Sequence, residues 1–397
     1  MKRRVTQMLA TVLAVAAACV YAAGSDRAPV PGNDPLYEIP FEYELDKIIV
    51  PVTVNGSKPI RCILDTGMVG GVFLMNPAVA EGMKLEYTPA QVMLQGAGPG
   101  AAPARMATGA SVDMAGVPFA DQRVIVMGEA GPLAWTGWDG AIGASVFGKY
   151  VVSIDTDKKI IRLYDPEKFD PSGAGDAVEM TVVNTKPFIK VDVDVDGKKP
   201  VVLTAVVDTG SSSEIMLSGD KGLPVPEASV EGTLGRGVGG EVRGKVGRSA
   251  KISIGKFALT SVVSQFHTGR VPTNSDALIG MGLLNRFSVT FDYTNGRMYL
   301  KAGERHKEPF EFNMTGMAVS PEADGSLKVV DVFEGSPAHE AGIKTGDLIL
   351  TVDGRKMTFL EYNTLMEAMR KPGKEVKIEF GREGKTSSVS LKTRRLI

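Results

Sequence analysis

Residues 63–67 read Ile-Leu-Asp-Thr-Gly, and residues 206–210 read Val-Val-Asp-Thr-Gly. In both copies an apolar run leads into the same Asp-Thr-Gly turn, and the two aspartates lie 143 positions apart. One such turn is an ordinary feature of many proteins, whereas a duplicated one indicates two related halves. Since each half supplies one carboxylate, the halves could bring two carboxylates together at a shared site.

The likeness between the halves begins before these turns. An alternating apolar run over residues 48–54 leads to an Asn-Gly pair at 55–56, and a similar run over 189–195 leads to an Asp-Gly pair at 196–197. Such pairs accept the positive φ angles of a two-residue hairpin turn. We therefore predict a hairpin in each half whose last strand runs into the Asp-Thr-Gly turn.

A second pair of signatures follows each turn at a distance. Residues 139–143 read Asp-Gly-Ala-Ile-Gly, and residues 276–280 read Asp-Ala-Leu-Ile-Gly. Between each turn and its signature lies a Gly-rich stretch, at 95–100 and at 234–240. Because strand-forming segments flank both stretches, we interpret them as flexible hairpin tips.

The chemistry of two close carboxylates explains why the duplication matters. Two carboxylates within hydrogen-bonding distance cannot both ionise cheaply, so they share a proton and their pKa values separate. One then serves as a base toward water and the other as an acid toward a substrate carbonyl. We predict that Asp65 and Asp208 are the catalytic pair. The residues expected to support their loops are Thr66, Gly67, Thr209, Gly210 and Ser211.

On these motifs the two halves resemble aspartic proteases, specifically retropepsin-like halves fused in one chain. The resemblance covers roughly residues 45–300 and implies a mainly β fold with two pseudo-symmetric β lobes. It implies that the turns at 142–143 and 279–280 pack behind the aspartate loops, and that the Gly-rich hairpins are flaps over a bound peptide. The flap glycines are Gly96, Gly98, Gly235 and Gly237.

One position departs from the family pattern. The family usually has Ser or Ala after Asp-Thr-Gly, which Ser211 matches and Met68 does not. A thioether cannot support the outer oxygen of Asp65 as a hydroxyl would. We therefore expect two electrostatically unequal carboxylates. The same departure leaves open a non-catalytic peptide-binding or scaffolding protein with a degenerate cleft.

A different pattern begins after about residue 305. Ser336 as N-cap and Pro337 at the first helical position predict a short helix. Together with residues 315–319 and 352–354, the stretch 335–349 resembles a PDZ domain of the circularly arranged kind found in bacterial envelope proteases. The resemblance implies a small α+β domain after the two lobes.

That resemblance also implies a groove for C-terminal peptides. The backbone amides around Gly316 and Met317 would receive the terminal carboxylate, while the peptide adds a strand along residues 317–319. Tyr362, Leu365 and Met366 would line the pocket for the last side chain, with a place in the core as the alternative for Leu365. The predicted peptide-binding set is Gly316, Met317, Ala318, Tyr362, Leu365 and Met366.

The first 22 residues have the composition of an export signal. A basic start precedes an apolar run over residues 8–20 and small residues up to Ala22. The run is shorter than the roughly 20 residues that a spanning helix needs. We predict cleavage after Ala22 and an exported, periplasmic protein without an integral membrane span. Cys19 follows three alanines, which leaves a lipid anchor as an alternative.

The sequence thus divides into a signal peptide (1–22), lobe 1 (36–165), lobe 2 (176–303) and a PDZ domain (309–395). A net charge of −1 gives no indication of a nucleic-acid partner. Three scattered histidines predict no metal site, and the expected hydrolysis needs no cofactor. We expect an aspartic endopeptidase acting on peptide or protein substrates, with a PDZ module that recruits them or restrains the cleft.

Overall fold

A computed structural model describes residues 34–128, 137–271, 275–322, 324–358, 361, 365 and 369–397. The predicted signal peptide with Cys19, and Tyr362 and Met366 of the predicted PDZ groove, lie outside these residues. The chain is mainly β, as predicted. Within the described ranges, no helix has both the length and the apolar composition needed to cross a membrane.

Lobe 1 is built around one eight-stranded sheet. The strands of this lobe are β1 (Tyr37–Pro40), β2 (Glu42–Glu44), β3 (Lys47–Val54), β4 (Ile60–Leu64), β5 (Val72–Leu74), β6 (Glu86–Gln95), β7 (Ala101–Met114), β8 (Val117–Met127), β9 (Gly140–Ile142), β10 (Val151–Asp155) and β11 (Ile160–Tyr164). The sheet order is β2-β3-β4-β9-β5-β8-β7-β6. A 3₁₀ turn at Pro77–Ala80 and the short helix α1 (Ala144–Phe147) complete the lobe.

Lobe 2 repeats this arrangement. Its strands are β12 (Asp176–Val183), β13 (Lys186–Asp194), β14 (Val201–Asp208), β15 (Ile215–Leu217), β16 (Val230–Gly237), β17 (Gly240–Ile254), β18 (Phe257–His267), β19 (Ala277–Gly280), β20 (Phe287–Asp292) and β21 (Arg297–Ala302). Eight of them follow the order β12-β13-β14-β19-β15-β18-β17-β16, which matches lobe 1 strand for strand. A 3₁₀ turn at Gly219–Lys221 and the helix α2 (Met281–Leu284) also have their counterparts. The predicted duplication of the fold is confirmed.

The hairpins that lead to the Asp-Thr-Gly turns differ from the prediction in their loops. Asn55 and Gly56 take the expected positive φ angles of 50° and 74°, but β4 begins only at Ile60. In lobe 2 the loop is also longer than two residues, since β14 begins at Val201. A proline directly precedes each second strand, at 59 and 200. Because proline has no N–H for the ladder, pairing starts one residue later.

A shared sheet joins the two lobes. Its order is β1-β11-β10-β20-β21-β12, so strands of lobe 1 and lobe 2 meet at the β10–β20 pair. There Ile154 pairs with Val289, and Thr290 Oγ1 donates a hydrogen bond of 3.0 Å to Ser153 Oγ. One hydrophobic core continues across this junction, and burying a large apolar side chain within it contributes about 2–3 kcal/mol. The lobes therefore have a fixed relative position.

The PDZ domain forms a separate sheet with its own core. It consists of β22 (Met317–Pro321), β23 (Leu327–Val332), α3 (Pro337–Glu340), β24 (Leu348–Val352), β25 (Arg355–Lys356), β26 (Glu375–Arg382) and β27 (Lys385–Lys392). Strand β22 is an edge strand that pairs with β23. Ser336 caps α3 by accepting a hydrogen bond from His339 N, as the sequence predicted.

Arg286 fastens the connection between lobe 2 and the PDZ domain. This connection runs from β21 through a 3₁₀ turn at Glu304–Lys307. The Arg286 side chain is only 3% exposed, and its guanidinium donates hydrogen bonds to the carbonyl oxygens of Arg305 (2.9 Å), Glu308 and Pro309 (3.1 Å). It also lies 3.6 Å from the ring centre of Phe310. One side chain thus satisfies three carbonyl groups of the connection.

We expect Arg286→Met to destabilise the protein by about 2 kcal/mol, because three hydrogen bonds from a buried, charged donor group are lost. Urea unfolding measures this change, and limited chymotrypsin digestion should cleave faster at Phe310 and Phe312. Arg297→Met, at an exposed arginine of the same lobe, is the matched control. Equal stability and digestion of the two variants would contradict the assigned role of Arg286.

Candidate active site

The two Asp-Thr-Gly turns lie at equivalent ends of β4 and β14. Strand β4 runs parallel to β9, and β14 runs parallel to β19, so each later Ile-Gly turn lies directly behind an aspartate loop. The Asp65 amide donates to the Ile142 carbonyl oxygen at 2.9 Å. A Cβ atom at Gly143 would lie 1.8 Å from the carbonyl oxygen of Asp65. Glycine is therefore required at this close approach.

Thr66 and Thr209 connect the two loops by reciprocal hydrogen bonds, which we call the threonine bridge. Thr66 N donates to Thr209 Oγ1, and Thr209 N donates to Thr66 Oγ1, both at 3.0 Å. Each hydroxyl also donates to a carbonyl oxygen of the opposite strand, at Val207 and Leu64, at 2.7 Å. Both threonines are 1% exposed. Every hydroxyl donor and acceptor of the bridge is thus used inside the protein.

The threonine bridge brings the two carboxylates face to face. Gly67 N donates to Asp65 Oδ1 at 2.7 Å, and Gly210 N donates to Asp208 Oδ1 at 2.8 Å. A Cβ atom at Gly67 would lie 2.6 Å from the Asp208 carboxyl group, and one at Gly210 would lie 2.4 Å from that of Asp65. Each carboxylate therefore lies over the glycine of the other loop, and the two are close enough to share a hydrogen bond.

The electrostatics of the pair favour a proton on Asp65. Burial, followed by the charge of Asp208, raises the pKa of Asp65 to about 7, against the opposing effects of the Gly67 amide and the Lys47 ammonium. Burial also raises the pKa of Tyr293, and the nearby charges of Asp65 and Asp208 act in the same direction. Below neutral pH, Asp65 can thus act as the acid while its neighbour acts as the base.

The two loops differ in the residue after Asp-Thr-Gly, as expected. Ser211 Oγ is hydrogen-bonded to Ser213 Oγ at 2.8 Å and accepts from Ser213 N. It thus stabilises its own loop, and direct support of the Asp208 carboxylate by its hydroxyl stays a prediction. In lobe 1, Met68 packs against a small apolar cluster that includes Ile63 and Trp138. Apolar packing replaces polar support on this side.

Lys47 is a site residue that the sequence analysis missed. It is 9% exposed, and its Nζ donates to the Gly210 carbonyl oxygen at 2.6 Å and to Ser212 Oγ at 2.7 Å. Burial lowers its pKa, while Asp208, Asp46 and Asp65 raise it. A cation of lobe 1 thus lies against the Asp208 loop of lobe 2. Its signal in the sequence is a lysine that directly precedes the first apolar alternation, and Lys186 repeats it in lobe 2.

The predicted flaps are the β6–β7 and β16–β17 hairpins, whose tips touch each other. Gly100 N donates to Gly239 O, and Gly239 N donates to Ala97 O, both at 2.8 Å. Gly98 has a φ of 101°, and a Cβ atom there would lie 2.5 Å from the Gly239 backbone. Of the other predicted flap glycines, Gly96 and Gly237 also lie at this contact, whereas Gly235 lies at an irregularity of the strand pairing, with open space around it.

A single cavity of about 1530 Å³ lies beneath the flap tips. Asp65 and Asp208 form part of its wall, as do both flap tips and the edge strand β22 of the PDZ domain. Apolar side chains of both lobes, among them Phe73, Phe188 and Met216, line the rest. The space above the carboxylates is therefore large enough for a peptide and continues to the PDZ domain.

The predicted carboxylate-binding amides of the PDZ domain are already hydrogen-bonded. Gly316 N donates to Asn313 Oδ1 at 3.1 Å, and Met317 N donates to Thr315 Oγ1 at 3.4 Å. Asn313 also spans the loop from its other side, since its Nδ2 donates to Met317 O at 2.6 Å. The expectation that these amides are free to receive a carboxylate is wrong for this conformation, in which Asn313 occupies the place of a ligand oxygen.

The remaining residues predicted for this groove fall into two groups. The side chains of Met317 and Leu365 are 0% and 2% exposed and belong to the domain core, so Leu365 does not line a side-chain pocket, whereas Met317, predicted to bind through its backbone, also borders the cavity. For Leu365 this outcome is the alternative that the sequence left open. Ala318 is half-buried on the edge strand and lines the cavity. The edge of β22 is therefore the part of the predicted groove that faces the cleft.

The PDZ domain contacts the base of the lobe 2 flap through Asp331. The carboxylate of Asp331 accepts hydrogen bonds from Thr233 N (2.7 Å) and Thr233 Oγ1 (3.1 Å), and it lies 3.4 Å from Arg243 Nη2. A second contact joins Arg370 to Asp46 of lobe 1 at 3.7 Å. Of these two contacts, the one made by Asp331 directly involves a flap strand, β16.

The described part of the chain contains no group of three His, Cys, Asp or Glu side chains arranged to hold a metal ion. Cys62 is buried and free. Glu214, also missed by the sequence analysis, lines the cavity next to the catalytic loop of lobe 2, and burial raises its pKa to about 7. The sequence offers no specific signal for Glu214, Asn313 or Asp331, because their positions depend on how the domains meet.

Comparisons with known proteins agree with both parts of the chain. A family model described as aspartyl protease matches residues 50–146 and 191–283, and a PDZ domain model matches residues 314–393. An aspartic proteinase of Irpex lacteus, known from its crystal structure, aligns with 69% of this chain and 99% of its own, at 14% identity and a TM-score of 0.46.

Two curated relatives match over short segments in the PDZ part. A carboxy-terminal processing protease of Bacillus subtilis is 39% identical over 64 residues, which is 16% of this chain and 14% of the relative. A putative zinc metalloprotease of Lactococcus lactis is 37% identical over 65 residues, again 16% of this chain and 15% of the relative. The chain thus spans about one seventh of each. Two family matches, one in each β lobe, and the geometry of the paired Asp-Thr-Gly loops identify the chain as two fused retropepsin-like aspartic protease halves followed by a PDZ domain.

Proposed function

We propose that this protein is an exported aspartic endopeptidase whose catalytic acid and base are Asp65 and Asp208. The single observation that carries the proposal is the buried pair of carboxyl groups, each lying over the glycine of the opposite loop. Fully satisfied hydrogen bonds at the threonine bridge support the same arrangement. Holding both carboxylates in place before substrate binds lowers the cost of reaching the reactive geometry.

In the proposed reaction, Asp208 takes a proton from a water molecule held between the two carboxylates. The water oxygen attacks the peptide carbonyl carbon while Asp65 donates its proton to the carbonyl oxygen. The resulting tetrahedral intermediate collapses when Asp208 passes its proton to the leaving nitrogen, one hydroxyl returns a proton to Asp65 and the C–N bond breaks, which gives a carboxylic acid, an amine and the starting state of the pair. No covalent enzyme intermediate forms, and no cofactor takes part.

The proposed substrates are peptide segments that extend from the cleft toward the PDZ domain. The cavity that contains the carboxylates also reaches the edge of β22, where a peptide can add as a further strand. We propose that the PDZ domain engages C-terminal peptides at this edge. Peptide binding at its carboxylate loop then requires Asn313 to move away from the amides.

A peptide-binding scaffold without catalysis is the second candidate function. Met68 favours it, because apolar packing replaces a polar group beside Asp65. The retained pair of aspartates favours the enzyme. The two functions differ in one measurable respect, which is whether a bound peptide is cut.

We expect Asp65→Asn and Asp208→Asn each to lower peptide cleavage by roughly a thousandfold, since each removes a general acid or base. A library of denatured proteins and peptides, analysed by mass spectrometry between pH 3 and pH 8, measures the effect. Asp121→Asn, at an exposed aspartate of lobe 1, is the matched control. Equal cleavage by the wild type and both active-site variants contradicts the proposal, and binding without any cleavage favours the scaffold.

We also expect cleavage by the wild type to decline as the pH rises through about 7. The raised pKa of Asp65 keeps its proton in place below that value, and ionisation above it removes the acid. The logarithm of kcat/KM against pH should therefore fall with a slope near −1 above neutrality. Activity that continues to rise up to pH 9 contradicts the assignment of Asp65 as the acid.

The contact of Asp331 with the flap supports a restraining role for the PDZ domain. Asp331→Ala removes the acceptor for Thr233 and the partner of Arg243, so the lobe 2 flap should open more readily. We expect roughly a threefold higher cleavage rate of a short unselective peptide, given about 0.6 kcal/mol of lost restraint. Asp324→Ala, at an exposed aspartate of the same domain, is the control. An unchanged or lower rate means that the PDZ domain does not restrain the cleft.

A further inference from the structure

Lys47 lies in the site but has no role in the proposed reaction steps. Its ammonium group is hydrogen-bonded to Gly210 O and Ser212 Oγ, which are the second and fourth residues after Asp208. Ser212 Oγ in turn donates to Leu45 O at 2.7 Å. The hairpin turn of lobe 1 and the catalytic loop of lobe 2 are thus joined by three hydrogen bonds that converge near one carboxylate.

The turn that carries Lys47 has a costly conformation. Leu45 and Asp46 have φ angles of 49° and 57°, which non-glycine residues adopt only when other contacts compensate. Asp46 supplies such contacts, because its carboxylate accepts hydrogen bonds from Tyr43 and from Asn285 of lobe 2, both at 3.1 Å. The surrounding structure therefore fixes the turn in the one conformation that delivers Lys47 to the catalytic loop.

The pseudo-symmetric residue in lobe 2 shows what is special about Lys47. The strand registers of the two lobes place Lys186 at the equivalent position, directly after a turn at Asn184 and Thr185 that also has positive φ angles. Lys186 is only half-buried, and none of the described residues accepts a hydrogen bond from its ammonium group. Val69 stands where Ser212 stands in the other loop, and its side chain offers no acceptor. A lysine occupies this position in both lobes, but only Lys47 of lobe 1 is hydrogen-bonded to the aspartate loop of the other lobe.

The charges around Lys47 are mostly acidic. Asp46 on its own turn and Asp65 and Asp208 in the two loops all act on its ammonium group. Beyond Asp46 lie the phenol of Tyr43 and the guanidinium groups of Arg305 and Arg370, with Glu214 next to Arg370. Tyr293 approaches the two catalytic carboxylates as a neutral phenol. Lys47 is therefore a buried cation of lobe 1 that interacts with the charges of Asp65 and Asp208.

We propose that Lys47 is a positioning residue that holds the Gly210–Ser212 loop in place and stabilises the singly ionised carboxyl pair, so that it sets the pH range in which Asp65 and Asp208 work. This inference rests on the proposed peptidase function but concerns a different residue and a different measurement. A cation beside a carboxylate favours the ionised form and lowers the pKa of the group. Removing it should raise the pKa of Asp65 and move the pH profile of cleavage upward.

The test compares pH profiles of kcat/KM for Lys47→Met, which keeps the length and apolar stem of the side chain. We expect both limbs of the profile to move by about 1 pH unit to higher pH, so that the variant loses activity at acidic pH and gains relative activity above neutrality. Lys47→Arg retains the charge and should stay near the wild-type profile. Ser212→Ala removes two hydrogen bonds, one from Lys47 and one to Leu45 O, but no charge, and it should lower the rate without moving the limbs.

Lys186→Met is the matched control, because it removes the same charge at the equivalent position of the other lobe. The two limbs of its pH profile should lie at the wild-type positions, even where its KM differs from that of the wild type. A Lys47→Met profile that is lower at every pH, with limbs at the wild-type positions, shows a purely structural role and overturns the proposal. An equal shift in Lys186→Met shows a general charge effect and also overturns it.

A second measurement separates this inference from the peptidase function. The carboxyl carbons of Asp65 and Asp208 can be titrated by ¹³C NMR in the wild type and in Lys47→Met without any substrate, with the Asn variants serving for assignment. Upward shifts of the titration in Lys47→Met support the role of Lys47 even in a protein that cuts nothing. Identical titration curves overturn it even in an active peptidase.

Discussion

The reciprocal hydrogen bonds between Thr66 and Thr209 are the contact on which the rest of the site depends. They join the two aspartate loops in the buried interior, where an unpaired hydroxyl or amide costs about 1–3 kcal/mol. A small separation of the lobes would leave several such groups unpaired at once. The cost of separation therefore rises steeply with distance, and this keeps two mutually repelling carboxylates together.

Larger elements of the fold hold the two lobes together around the threonine bridge. The shared sheet at the β10–β20 pair and the continuous hydrophobic core fix the lobes behind the carboxylates, while the flap tips close the cleft in front of them. The PDZ domain adds a third support at the base of one flap. The cleft is thus closed by hydrogen bonds between backbones at the tips and by a side-chain contact from another domain at the base.

Duplication made most of the architecture predictable from the sequence. The Asp-Thr-Gly and Ile-Gly signatures occur at matching positions in the two halves, and each marks the end of a strand. Because the two marked strands of a half pair in parallel, the loops that follow them lie next to each other. Two of the contacts that the sequence did not predict are short-range hydrogen bonds made by side chains. Ser211 is hydrogen-bonded to Ser213, and Asn313 accepts a hydrogen bond from the Gly316 amide. Periodicity and spacing contain no information about such contacts.

Lys47 and Lys186 show what the fusion of two halves makes possible. In a symmetric dimer of identical chains, a serine that captures the lysine on one side would appear on the other side as well, and both catalytic residues would have the same surroundings. In a single chain, Ser212 and Val69 can differ, so one lysine is captured and the other is left at the surface of the cleft. Because the two loops of a single chain can differ in sequence, the surroundings of the two aspartates can be unequal without any bound substrate.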